Sequence, residues 1–225
     1  MEILKGFSSF DRSDNQYPCE MVTFTGHLKP KPDWIRSTLY GVSLGNGRYF
    51  CGGHQFDLFK GAFFSFPISK DNLSGIEFVA DEKIFLVLRH GYQGQSLYLG
   101  EVERKGRLSY VDGCSDSLLV YPARLGDPSL NFLFIPPGTR QTSHSHPTLR
   151  LGLVLDGQGT AETLNQEFAL ERGMAFLIEE HEIHRFKTAE QSLSVIAFHP
   201  DGDFGPSDRN HTMINRSYFN IDAIR

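Results

Sequence analysis

Short apolar runs recur along most of this chain, and glycine, proline, asparagine and aspartate stand between them. Side chains alternate across a strand, so such runs bounded by turn residues predict strands rather than helices. The pattern predicts strands over 21–27, 37–44, 48–51, 55–59, 62–66, 76–79, 83–88 and 96–99. Residues 1–19 are polar and turn-rich and read as a surface segment, and 28–33, with two prolines, as a loop. In the second half, the run 151–155 reads as a buried strand. It ends at Asp156-Gly157-Gln158-Gly159, read as a hairpin turn like Gly45-Asn46-Gly47 earlier. Only short helical turns are expected, for instance near 201–208. The tail 203–211 is too rich in turn residues for a strand and is expected to fold back over the molecule. This spacing indicates an all-β barrel or sandwich.

The pattern also repeats. A shift of 112, which carries Gly47 onto Gly159, superposes Leu39 on Leu151, Val42 on Val154, Phe56 on Phe168, Gly61 on Gly173 and Phe64 on Phe176 without a gap. Turn glycines and core positions are what a duplicated β unit must keep together. The chain is therefore read as two copies of one small barrel, 1–115 and 116–225, joined somewhere in 110–131.

Composition narrows the class. At 225 residues the chain can bury a sizeable core without staples. A net charge of −5 and the lack of any Lys/Arg block argue against a nucleic-acid surface. No run reaches the length of a membrane span, and the N-terminus lacks the form of a signal peptide. Cys19, Cys51 and Cys114 are odd in number and scattered, as reduced thiols are. Together these features predict a cytoplasmic protein without a nucleic-acid or membrane partner, and two fused barrels allow a monomer or a homodimer.

The candidate chemistry lies in the second copy. His144 and His146, one residue apart, project to one side of an extended chain and can share a metal ion. His184, a hairpin and a turn later, is the third candidate, and its period-two neighbour Phe186 also looks inward. The bland alternatives are a solvated loop for the first pair and a satisfied core histidine for His184. Under the shift these three fall on Pro32, Trp34 and Asn72, so the first copy reads as structural. His27, His54, His90, His199 and His211 are isolated and read as structural too.

Residues 131–199 resemble a cupin domain, a double-sheet jelly roll open at one end. Gly138, His144, His146 and Gly157 fit the first cupin motif, and Gly173 and His184 the second, where Glu179 and His181 replace the usual Pro and Gly. The whole resembles a bicupin, two tandem jelly-roll barrels with a degenerate first copy. The resemblance implies a divalent transition metal (Fe, Zn, Ni or Mn) on His144, His146 and His184. Neutral imidazoles also suit Cu, and none of them suits Mg or Ca.

The motif's usual Glu is here Arg150, so the common three-His-plus-Glu set is absent. Similar three-His sites occur in cupin thiol and gentisate dioxygenases. If the strand continues through Pro147, Arg150 points into the same cavity and can hold a ligand carboxylate or phosphate; the alternative is a salt bridge to Glu162. Arg140, Glu162 and Phe176 are further candidates for the pocket, and His181 is a possible extra ligand. Glu162, Glu179, Glu180 and His181 are candidate general bases by position only.

The resemblance leads to a metal-binding barrel acting on a small organic anion. Cleavage by dioxygen at Fe(II) heads the implied chemistries, and isomerase or lyase chemistry follows. A non-catalytic ligand-binding or sensory barrel is the alternative, like the effector-binding halves of arabinose-type regulators, though no helix-turn-helix is legible. A purely structural pair of barrels is the third.

Overall fold

The computed structural model describes residues 1–4, 8–202, 205 and 207. Most of the tail 203–211 and half of the expected helical turn at 201–208 fall outside them. The described residues form strands joined by turns and three short 3-10 segments, with no α-helix among them and none long and apolar enough to cross a membrane. The first strands are β1 (Glu2–Leu4), β2 (Ser8–Arg12), β3 (Cys19–Leu28), β4 (Ser37–Ser43), β5 (Gly47–Cys51), β6 (His54–Leu58), β7 (Ala62–Pro67), β8 (Glu77–His90) and β9 (Leu97–Glu101). The rest are β10 (Leu108–Ser109), β11 (Ser115–Val120), β12 (Ser129–Ile135), β13 (Arg150–Thr163), β14 (Glu167–Glu171), β15 (Ala175–Ile178), β16 (His184–Lys187) and β17 (Leu193–His199).

Two antiparallel systems result. One has eight strands, with β2-β3-β8-β4-β7-β9 as its main path and the β5–β6 hairpin alongside. The other has nine, in the order β1-β15-β13-β17-β12-β11-β10, with β14 and β16 on β13. The all-β double-sheet fold expected from the pattern is the fold observed.

The N-terminal segment is not a surface layer. Its Ile3 pairs with Phe176 through β1, and Phe10 is buried within β2, because both carry apolar side chains into the cores. The expected hairpin at 156–159 is also corrected. Strand β13 runs unbroken from Arg150 to Thr163, with a register shift between Val154 and Asp156, and Gly157 adopts φ 76° there. An added Cβ would lie 1.9 Å from the Ser192 carbonyl oxygen, so glycine marks a bulge that bends the strand from one sheet to the other. In the first half the roles reverse. Long β8 runs unbroken and pairs with both β4 and β5, so Gly45-Asn46-Gly47 is a corner and not a hairpin.

The ladders refine the internal match. Gly41 stands against Phe64 and Gly152 against Phe176; each glycine lets a phenylalanine ring lie over the strand where a Cβ would meet it at 2.2 and 2.0 Å. The phenylalanines are related by 112 but the glycines by 111, because β13 carries the bulge residue. The ungapped alignment is thus corrected: Leu39, not Thr38, is the counterpart of Arg150, since they face Phe66 and Ile178. Likewise Arg48 stands against Val79 and Thr160 against Lys187, which puts His184 at the level of Ile76 rather than Asn72.

Three apolar clusters hold the molecule. Leu39, Tyr49, Phe64, Phe66, Ile76 and Phe78 fill the interior of the first half, the three phenylalanine rings stacked around Tyr49 at centroid distances of 4.5–5.9 Å. Ala161, Phe176, Ile178, Phe186 and Val195 line the second. Between them lies a shared core in which Tyr40, Val42, Phe85 and Val87 meet Phe132, Leu151, Leu153, Ile196 and Phe198.

Candidate functional site

The first half is packed solid where the second is open. Where Leu39, Ile76 and the ring stack fill space in one half, the other half has Arg150, His184 and a cavity of about 400 Å3. Strand β16 brings His184 to it, and the segment before β13 brings His144 and His146. His144 and His184 are joined by a pair of backbone hydrogen bonds, N–H to carbonyl in both directions, at 3.0 and 2.9 Å. The His146 carbonyl accepts from the His181 amide at 2.8 Å, which fixes the other end of the segment.

These backbone bonds bring the three imidazoles together. Ring centroids are 5.1 Å apart for His144–His146, 4.7 Å for His144–His184 and 5.1 Å for His146–His184. One nitrogen from each lies within 4.8 Å of the others. Nδ1 of His144 lies 2.8 Å from the Thr142 carbonyl, and Nδ1 of His184 lies 2.8 Å from the Glu182 carbonyl. A carbonyl can only accept, so both Nδ1 atoms carry the proton and both Nε2 lone pairs are left for another partner. Metal-binding histidines characteristically have such a carbonyl behind them. Burial, reinforced by Arg150 and the neighbouring imidazoles, holds His146 down to about 3. Burial is also the main cause that holds His184 down to about 4, against the opposing pull of the Glu182 carbonyl. Neutral imidazole is the form that ligates a metal. The donor set therefore fits a divalent transition metal.

Arg150 is buried and lines the cavity, although by a different route from the expected one. The chain is not a continuous strand through Pro147; β13 begins at Arg150 itself. Its Nη1 donates to the Thr148 carbonyl at 2.8 Å, the Thr148 hydroxyl at 2.6 Å and the Leu149 carbonyl at 3.0 Å. These bonds aim the guanidinium, and the expected alternative, a bridge to Glu162, is not formed.

Phe176 and Phe186 form the cavity's aromatic wall, with centroids 5.8 Å apart. The structure does not bring Arg140, Glu162 or His181 to the cavity. Glu162 pairs across the ladder with Arg185, one position out of phase with inward-facing His184 and Phe186. There it binds Arg185 and Lys187, with Arg140 at 4.0 Å, on the outer side. His181 is exposed in a left-handed turn, φ 59°. Glu179 binds Arg12 at 3.0 Å and Glu180 is exposed, and neither lines the cavity.

Other lining residues escaped the sequence reading. His199, at the end of β17, has its ring 6.3 Å from that of His146, and burial with Arg150 nearby holds its pKa well below the ordinary value. Asp116 and Asn131, on β11 and β12, and Tyr110 complete the polar lining. Alternation along β17 (Val195, Ala197, His199) was the only available signal, and it becomes readable once that strand is known to face the cavity.

Residues 131–199 match the family model described as a cupin domain. No curated protein matches the chain in sequence. Among solved structures, protein Ylba from E. coli superposes with TM-score 0.64 at 17% identity, over 92% of this chain and 88% of that one. A cupin 2 conserved barrel domain protein from Leptotrichia buccalis gives 0.59 at 13%, over 88% of each. Salicylate 1,2-dioxygenase from Pseudoaminobacter salicylatoxidans, solved as adducts with gentisate, gives 0.58 at 10%, over 84% and 72%. Residues 131–199 thus match a cupin domain, and the double-sheet fold of the chain is that of these solved structures, a cupin barrel among them.

Proposed function

We propose that this chain is a bicupin, 1–115 and 116–225, whose second barrel holds a divalent transition metal on His144, His146 and His184. The metal-bound cavity acts on a small organic anion, and the reaction is oxygen-dependent cleavage at Fe(II). The observation that carries the reading is the convergence of three ring nitrogens within 4.8 Å, two of them with Nδ1 fixed by a carbonyl. When bound, such a metal polarises a substrate oxygen and activates dioxygen or water. The fold similarity to salicylate 1,2-dioxygenase, solved as adducts with gentisate, supports the choice of ligand class and of a first test compound.

The chain's own residues supply the rest. Arg150 receives the anionic group, its guanidinium aimed by Thr148 and Leu149. Phe176, Ile178, Phe186 and Val195 exclude water around the carbon frame. Leu39 and Ile76 at the corresponding levels of the first half, within a filled interior, support a structural role for that half.

Elemental mass spectrometry of purified wild type beside His144→Ala/His146→Ala tests the metal. Near-stoichiometric metal, lost in the double variant, is expected, and iron with dioxygen uptake on adding gentisate or a related acid supports the reaction. A wild type that takes up no metal after anaerobic Fe(II) reconstitution overturns the reading.

A further inference from the structure

The cavity has more buried polar groups than its own side chains can satisfy. Asn131 is 7% exposed, and its Oδ1 has no hydrogen-bond partner among the described residues. Its Nδ2 is directed at Asp116, at 3.3 Å from Oδ1 and 3.5 Å from Oδ2. Two more partnerless atoms stand on the same face of β12 and β17: Nδ1 of His199 and Oγ of fully buried Ser129, which face each other in the ladder. Buried polar atoms are nearly always paired, so Asn131 Oδ1 and His199 Nδ1, both from residues that line the cavity, point to a partner that belongs there.

The chemistry of that partner follows from the inventory. Asn131 Oδ1 can only accept, and ionised Asp116 accepts as well. Desolvation raises the Asp116 pKa to about 6, so its carboxylate too lacks full compensation. At Asn131 and Asp116 the groups presented are acceptors, so what is missing there is a donor. Resting on the reading of this cavity as a ligand site, we propose that Asp116 and Asn131, with His199 beside them, form a second subsite that recognises a hydroxyl or amine of the ligand. The molecule held here is then a hydroxy- or amino-carboxylate.

The ladder also gives the spacing. Arg150 on β13 and Asp116 on β11 are separated by two intervening strands, β17 and β12. Asp116 lies level with Leu133, Val195 and Val154, so the two residues are separated by three spacings of about 4.8 Å across the sheet and by the run from Arg150 to Val154 along it. The acid and the donor therefore sit on separated atoms of the ligand.

Binding of matched probes to the zinc-loaded protein, followed by ligand-observed NMR and calorimetry, tests this. One set is benzoate with its 2-, 3- and 4-hydroxy derivatives; the other is butyrate with 4-hydroxybutyrate and 4-aminobutyrate. At least one probe with a remote donor is expected to bind about fivefold tighter than its parent, as one net hydrogen bond provides. The preference is expected to vanish in Asn131→Leu and Asp116→Leu, with Asp116→Asn as the near-isosteric variant should a leucine variant not fold. No preference in the wild type, no binding by any donor-bearing probe, or a preference that survives the substitutions overturns the subsite. Metal content is read on the same samples. Donor preference without metal removes the metal reading and keeps the subsite; metal without preference removes the subsite alone.

Discussion

Asp112 holds a left-handed backbone, φ 56° and ψ 35°, and both of its carboxylate oxygens go to Thr142. Oδ2 accepts from the Thr142 amide at 2.5 Å and Oδ1 from its hydroxyl at 3.2 Å. The Thr142 carbonyl in turn receives Nδ1 of His144. One exposed aspartate thus steadies the group that sets a ligand's tautomer. Given the proposed metal site, Asp112→Ala is expected to weaken zinc binding roughly tenfold, the scale seen when outer partners of ligands are removed. Asp112→Asn, which keeps an acceptor, is expected to recover part of the loss; chelator competition measures both. An unchanged affinity in the alanine variant would detach Asp112 from the site.

Glu162 carries a pH signature of its own. Hydrogen bonds from Lys187 and Arg185 hold its carboxyl down to about 2. A carboxylate lowered on folding stabilises the native state above its unfolded value, near 4.3, and that contribution is lost as pH falls toward 2. Melting temperatures of wild type and Glu162→Gln are expected to differ by a constant amount above about pH 5 and to converge as pH falls through 4 and 3. A gap that does not narrow on acidification contradicts this.

Among elements, the paired glycine–phenylalanine contacts separate the two halves. Phe64 is locked in the stack with Tyr49 at 4.5 Å, whereas Phe176 borders the cavity and has room to yield. Gly41→Ala is expected to cost about 1–3 kcal/mol as overpacking, and Gly152→Ala less, at the expense of cavity volume. Chemical denaturation would reveal the order, and a larger loss for Gly152→Ala would contradict it.

The same contacts explain what was legible in advance. Gly47, Gly159, Phe64 and Phe176 reveal the repeat because a close backbone approach, where a Cβ would meet a carbonyl oxygen at 2.7 and 2.6 Å, and core packing constrain residue type. The one-residue bulge before Asp156 is silent, since Leu155 is as apolar as its neighbours, and it moved Arg150's counterpart by one place. His144, His146 and His184 were legible through spacing. Asp116, Asn131 and His199 were not, because they come from three strands that only the fold sets side by side. Arg140 and Glu162 were misjudged for want of one fact, the parity of β13 and β16.

At the scale of the molecule, the two halves share one interface core and are cross-linked around its edge. Lys83 donates to the Gly173 carbonyl at 2.6 Å, Arg172 to the Leu44 carbonyl at 2.6 Å, and Lys60 meets Asp156 at 2.9 Å. Separating the halves would expose Leu130, Phe132, Leu151, Leu153, Ile196 and Phe198 to water. A single calorimetric transition with matching van't Hoff enthalpy is therefore expected. Residues 116–225 alone are expected to be unfolded or aggregated, and two resolved transitions would contradict this account.

Strand β1 carries a consequence for synthesis. Ile3 pairs with Phe176, so a strand synthesised early closes the sheet edge beside a cavity whose strands are synthesised much later. At roughly 5–20 residues per second, β1 waits about 10–35 s for its neighbour to be made. During that interval the eight-stranded sheet can assemble while an unpaired apolar segment trails from it, and the histidine barrel closes last.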